Sequence, residues 1–129
     1  MKKKIHLILV LCPLFLAISI TSVKAQGTYC NSSLRFCMAT SYSSGDMQTS
    51  NTAFYATVTS GIYYSASIEP YGSDHYGFVW IQYGGGSYIL ESNDEGFKSQ
   101  NGVFSSSGEQ WIDIFAEANR AHSYVSVSW

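Results

Sequence analysis

Two consecutive stretches of this chain alternate apolar and polar residues with a period of two. From Thr52 to Thr59, Phe54, Ala56 and Val58 fall on one side and Tyr55, Thr57 and Thr59 on the other. From Ile62 to Glu69, Ile62, Tyr64, Ala66 and Ile68 oppose Tyr63, Ser65, Ser67 and Glu69. Side chains alternate across a strand, so this is the pattern of half-buried antiparallel strands. Ser60-Gly61 separates the two by two residues and predicts a hairpin over 52–69.

The same reading extends along the chain. Leu34 to Tyr42, Tyr76 to Tyr83, Ser87 to Glu91 and His122 to Trp129 read as strands between turn-forming clusters of Gly, Ser, Asn and Asp. Phe97 to Phe104 is weaker. Tyr76 to Tyr83 is apolar on both faces through Phe78, Val79, Trp80 and Ile81, which suits a central strand. Trp111 to Ala118 fits a helical stripe through Trp111, Phe115 and Ala118. It also fits a strand with Ile112, Ile114, Ala116 and Ala118 inward and Asp113 and Glu117 outward. Asn119-Arg120 makes a hairpin with the last stretch plausible and favours the strand. The expected architecture is all-β: a small antiparallel β-sandwich, or a small barrel, of about seven or eight strands.

The first 25 residues stand apart. Lys2, Lys3 and Lys4 precede an apolar run from Ile5 to about Ile20, and Val23-Lys24-Ala25 supplies small or aliphatic residues before Gln26. This is the pattern of a signal peptide cleaved after Ala25, followed by one domain over 26–129. Pro13 interrupts a run already marginal for a membrane span, so no stable membrane anchor is expected. The expected location is secreted, or periplasmic in a two-membrane bacterium.

Cleavage changes the charge. Residues 26–129 keep three basic residues, Arg35, Lys98 and Arg120, and all nine acidic ones, a formal charge of −6. So few cations cannot release counterions from a polyanion, so nucleic acid is not an expected partner. Two cysteines remain, Cys30 and Cys37, and an oxidising destination predicts a disulfide between them across a tight turn.

Chemistry-bearing constellations are sparse. Asp74-His75 and His122 belong to no recognisable nucleophile motif. Glu91, Asn93 and Glu95 imitate the start of a calcium loop, but the twelfth position is Gly102 rather than Glu. Glu69, Asp74, Glu109 and Asp113 could supply paired carboxylates, yet nothing in the sequence sets their separation. No catalytic residue, metal site or cofactor is assigned. The aromatic surplus is more informative, with 19 Phe, Tyr and Trp among 104 residues. Tyr55 and Tyr63 flank one turn, Tyr71 and Tyr76 a second, and Tyr83 and Tyr88 the triglycine Gly84-Gly85-Gly86. Tyr with Ser and Gly is the mixture that recognition surfaces use, so these six tyrosines are the candidate binding residues.

The last stretch, Gly108-Glu109-Gln110-Trp111 through Ala116, Ala118 and Ala121 to Tyr124 and Trp129, resembles the C-terminal pattern of lactococcin-type bacteriocins. The resemblance implies a small secreted β-sandwich that interferes with cell-wall synthesis by binding a precursor. It carries over no site residue, and the acidic chain and cysteine pair depart from that family. The expected function is thus a secreted, non-enzymatic binding protein recognising a protein or glycan partner through Tyr-rich loops. The alternative is a bacteriocin-like antagonist of competitor cell envelopes.

Overall fold

The computed structural model describes residues 26–129; the expected signal peptide lies outside the described residues. Nine strands form: β1 (Gly27–Asn31), β2 (Phe36–Ser43), β3 (Gln48–Val58), β4 (Ile62–Pro70), β5 (Tyr76–Tyr83), β6 (Gly86–Asn93), β7 (Lys98–Phe104), β8 (Gly108–Asn119) and β9 (Ala121–Ser128). They make two antiparallel sheets, one in the order β1-β2-β9-β4-β7 and the other β3-β8-β5-β6. The sheets pack face to face and do not close into a barrel. The strand beyond the expected seven or eight is β1, whose Gly-Thr-Tyr-Cys-Asn has no apolar alternation. It is held by pairing with β2 and by the Cys30–Cys37 disulfide, where the two residues sit directly opposite.

The segment 111–118 is a strand, part of β8. The expected hairpins at 52–69 and at 119–121 do not form. β3 pairs with β8, and β4 pairs with β7 and β9, so the chain changes sheet between them. Parity explains the first case. A two-residue turn at Ser60-Gly61 would pair Thr59 with Ile62 and Val58 with Tyr63, placing the two apolar rows on opposite faces of the ribbon. Crossing to the facing sheet lets both rows point inward. β8 and β9 behave alike: Arg120 alone links them across the sandwich.

Six of the eight connections change sheet in this way; only β1–β2 and β5–β6 are hairpins. Sharp corners need unusual backbone. Gly61 turns the β3–β4 corner at φ 136, against Val103 and the Phe104 carbonyl, where a side chain would be strained. Asp74, Asp94 and Arg120 turn three other corners at φ near 50, a conformation that Asp tolerates better than most residues.

The core tapers. Val58, Ile62, Ile68, Val79, Ile81, Ile112, Ile114, Val125 and Val127 fill its middle. At one end small residues bring the sheets close: Ala116, Ala118, Ala121, Gly77, Ser41 and Ser123 are buried. There Ser123 donates to the Glu117 carbonyl at 2.6 Å and Ser41 to the Gln48 carbonyl at 2.8 Å, so serines of one sheet satisfy backbone of the other. At the opposite end rings fill a wider gap. Phe104 lies between Tyr64 and Tyr83, with centroids 4.6 Å from each, and Tyr88 packs 4.7 Å from Tyr64.

Candidate functional site

The four-stranded sheet turns its second face to solvent. Its register defines the outer rows. Thr49, Glu117, Phe78 and Glu91 form one row across β3, β8, β5 and β6. Asn51, Phe115, Trp80 and Ile89 form the next, then Ala53, Asp113, Gln82 and Ser87. Tyr55 with Trp111 and Thr57 with Glu109 follow on β3 and β8. An antiparallel sheet with one wet face ordinarily carries polar residues there. Here Tyr55 is 77% exposed, Ile89 55% and Trp111 47%, while Phe78, Trp80 and Phe115 are half-buried. Tyr55 meets Trp111 edge-on at 4.5 Å, and Phe78 meets Phe115 edge-on at 6.0 Å. A shallow depression of about 150 Å³ opens at the Tyr55 end, lined by Tyr55, Ala56, Thr57 and Glu109.

The electrostatics of this face are one-sided. Glu91, Glu109, Asp113 and Glu117 stand among the rings, and none of β3, β5, β6 and β8 contains a Lys or Arg. Among the described residues the two Lys/Arg ion pairs lie elsewhere: Lys98 with Glu95, and Arg120 with Asp74 at 3.8 Å. Tyr76, at the end of the same face, feels the carboxylates. Burial pushes its phenol above the ordinary tyrosine range, and the charges of Glu91 and Glu117 and hydrogen bonding to Glu91 push the same way.

The six sequence-selected tyrosines do not converge. Tyr55 and Tyr76 lie on this outer face. Tyr63 is 51% exposed but faces outward from the other sheet, because the 52–69 segment crosses the sandwich instead of folding back. Tyr71 sits in the β4–β5 corner, edge-on to Tyr42 at 5.3 Å, and its hydroxyl donates to Glu69 at 3.3 Å. Tyr83 and Tyr88 point inward and pack on the core beside Phe104. Burial raises the Tyr88 phenol too, with the neighbouring Tyr64 adding to it.

Choosing turn-flanking tyrosines passes over Phe78, Trp80, Ile89, Trp111 and Phe115. A usable signal existed in the parity of 109–117. Trp111 and Phe115 alternate in step with Asp113 and Glu117, so outward carboxylates imply outward rings. The doubly apolar run of β5 is central in its sheet, as expected, yet its Phe78 and Trp80 face out rather than into a second layer.

The other outer face differs in chemistry. Ser126, Ser128, Ser65, Ser67, Ser99 and Asn101 line β9, β4 and β7, with the exposed Tyr63 and Val103 paired at one end. Thr40 and His122 hydrogen-bond there at 2.7 Å. His75 is buried near the β4–β5 corner. Its Nδ1 donates to the Gly72 carbonyl at 3.1 Å, and its Nε2 lies 3.3 Å from the Ser92 hydroxyl. Of the carboxylates considered from sequence, Glu109 and Asp113 share the aromatic face. Glu69 belongs to the other sheet, and Asp74 to a corner. No group of three His, Cys, Asp or Glu side chains suited to a metal ion occurs among the described residues.

No known family model and no curated protein matches this chain. The function must therefore be argued from the face itself.

Proposed function

We propose that this chain is a secreted binding module that recognises a protein or glycan partner without transforming it, through the outer face of the β3-β8-β5-β6 sheet. The observation that carries this reading is the apolar surface on the outer face, with Tyr55, Ile89 and Trp111 exposed and Phe78, Trp80 and Phe115 half-buried beside them. Exposed apolar surface marks interaction sites, and here it forms two neighbouring patches, Phe78, Phe115, Trp80 and Ile89 in one and Tyr55 and Trp111 in the other, parted by the row of Ala53, Asp113, Gln82 and Ser87. Tyr and Trp are the residues that supply most binding energy at such sites. The rings sit on strands rather than loops, so little ordering entropy opposes binding. Secretion is supported by the Cys30–Cys37 disulfide, which suits an oxidising compartment.

A glycan array and a pull-down from envelope and culture fractions test the reading. The intact protein is expected to retain a partner that Trp111→Ala and Trp80→Ala lose. Tyr63→Ala, on the far sheet, is expected to retain it. Equal retention by all variants would remove this face from consideration.

The stretch resembling lactococcin-type bacteriocins forms β8 and β9, and its Glu109 and Trp111 lie on the proposed face. Envelope-directed antagonism is therefore the second reading. Growth inhibition by purified protein, lost in Trp111→Ala, separates it from binding alone.

A further inference from the structure

The outward row of β8 reads Glu109, Trp111, Asp113, Phe115, Glu117: carboxylate, ring, carboxylate, ring, carboxylate. Neighbouring strands flank this row with a carboxylate at one position and with apolar groups at others. Phe78 stands between Glu117 and Glu91, Trp80 between Phe115 and Ile89, and Tyr55 beside Trp111. Four of the five carboxylates borne on strands lie on this one face, Glu69 being the fifth. Among the described residues none of the four strands bears a Lys or Arg; Lys98 of β7 reaches the edge of the face at Glu91, where its ammonium donates to the backbone carbonyl at 2.9 Å.

From this pattern we propose that the partner is a cationic, extended polypeptide segment laid along β8, with Arg or Lys at alternating positions. The inference rests on the recognition face argued above and names its ligand. Three arguments select this occupant. A ring face attracts a cation as a carboxylate does, and guanidinium groups stack on Trp and Phe, so both members of the row favour the same charge. The spacing suits an extended chain. Outward residues on β8 recur every ~6.8 Å, the repeat with which an extended peptide presents alternate side chains. Successive carboxylates are then ~14 Å apart, beyond the ~8 Å screening length at physiological salt, so each meets its cation almost independently. The third argument excludes a second copy of the same face, which would set four carboxylates against four. The shallow depression lined by Tyr55, Ala56, Thr57 and Glu109 lies at the end of this row, where the Glu109 carboxylate would meet the end of such a segment.

The experiment uses residues 26–129 with the disulfide intact and three synthetic probes: an Arg-Ser repeat peptide, a Glu-Ser repeat peptide and a neutral N-acetylglucosamine oligomer. Calorimetry and intrinsic Trp fluorescence report binding, since Trp80 and Trp111 lie on the face. The Arg-Ser peptide is expected to bind and the Glu-Ser peptide not. Asp113→Asn and Glu117→Gln should each weaken binding by up to about fivefold, the range of an exposed ion pair. Glu69→Gln, on the opposite sheet, should leave it unchanged, and added salt should weaken it steeply. Equal binding of both peptides, or binding untouched by the Asp113→Asn, Glu117→Gln double variant, overturns the cationic inference. So does a failure of the Arg-Ser peptide to bind. If the neutral oligomer binds, loses affinity in Trp111→Ala and keeps it in the double variant, the cationic inference fails while the recognition face stands. If the partner retained in the pull-down ignores Trp111→Ala as well, both fail.

Discussion

Tyr55 and Trp111 face each other across β3 and β8 as direct register partners, their rings edge-on with centroids 4.5 Å apart and both open to solvent. Neither ring closes over the core, so the contact is a property of the surface. A double-mutant cycle isolates it. Tyr55→Ala, Trp111→Ala and the double variant, compared by urea unfolding, should give a coupling of about 0.5–1.5 kcal/mol, typical of an aromatic pair. All three proteins should remain folded. A coupling near zero would mean that the two rings do not meet in solution.

At Gly77 the two sheets approach too closely to admit a side chain. A Cβ there would overlap the Ile68 Cγ2 methyl and lie 2.9 Å from the Ser123 hydroxyl, which is engaged with the Glu117 carbonyl. Gly77→Ala should therefore destabilise by about 1–3 kcal/mol through overpacking. Gly96→Ala, where a Cβ meets nothing within 4 Å, is the control and should be nearly neutral. Thermal or urea unfolding of the two variants makes the comparison.

How much of this was legible follows from what a local pattern encodes. Period two identifies the inward rows, and Phe54, Ala56, Val58, Ile62, Ala66, Ile68, Ile112, Ile114 and Val125 all face the core. It says nothing about which strand lies alongside. Val58 and Ile62 can both point inward only if the chain crosses the sandwich, a constraint carried by the parity across Ser60-Gly61 rather than by either alternating stretch alone, and the crossing places Tyr63 on the far side from Tyr55. The same limit affected the site. Asp113 and Glu117 mark the outward side of β8, and parity puts Trp111 and Phe115 with them. Composition alone does not reveal this, because rings on a strand more often belong to a core or a turn. The Cys30–Cys37 pair was legible because oxidation state and loop length are local properties.

That bridge anchors an edge strand. β1 pairs with β2 alone, and three of its five residues are exposed. Closing so short a loop stabilises by about 2–3 kcal/mol in the chain-entropy account. Reduction, or Cys30→Ser with Cys37→Ser, should lower stability by roughly that amount. The loss should be localised: amide exchange should accelerate first at Thr28 to Asn31. The β3-β8-β5-β6 sheet, which contains neither cysteine, should stay protected until global unfolding.

Alkaline stability should follow the tyrosines. Burial raises the phenols of Tyr76 and Tyr88 above the ordinary value of 10.0, with Glu91 and Glu117 reinforcing the first and Tyr64 the second. The unfolded chain then loses these protons before the folded one does. Between the unfolded and folded titrations the native state holds more protons, so stability falls as pH rises. This contribution is fully present below about pH 10 and is lost as pH climbs through the folded titrations. Urea midpoints measured across that window should decline for the intact protein and less steeply for Tyr88→Phe and Tyr76→Phe. Glu91→Gln should flatten the Tyr76 contribution only in part, because burial is its largest cause. Phenolate absorbance of the folded protein should lose a late-titrating component in each of Tyr76→Phe and Tyr88→Phe. A slope identical in all variants would show that both phenols ionise as freely in the folded chain as in the unfolded one.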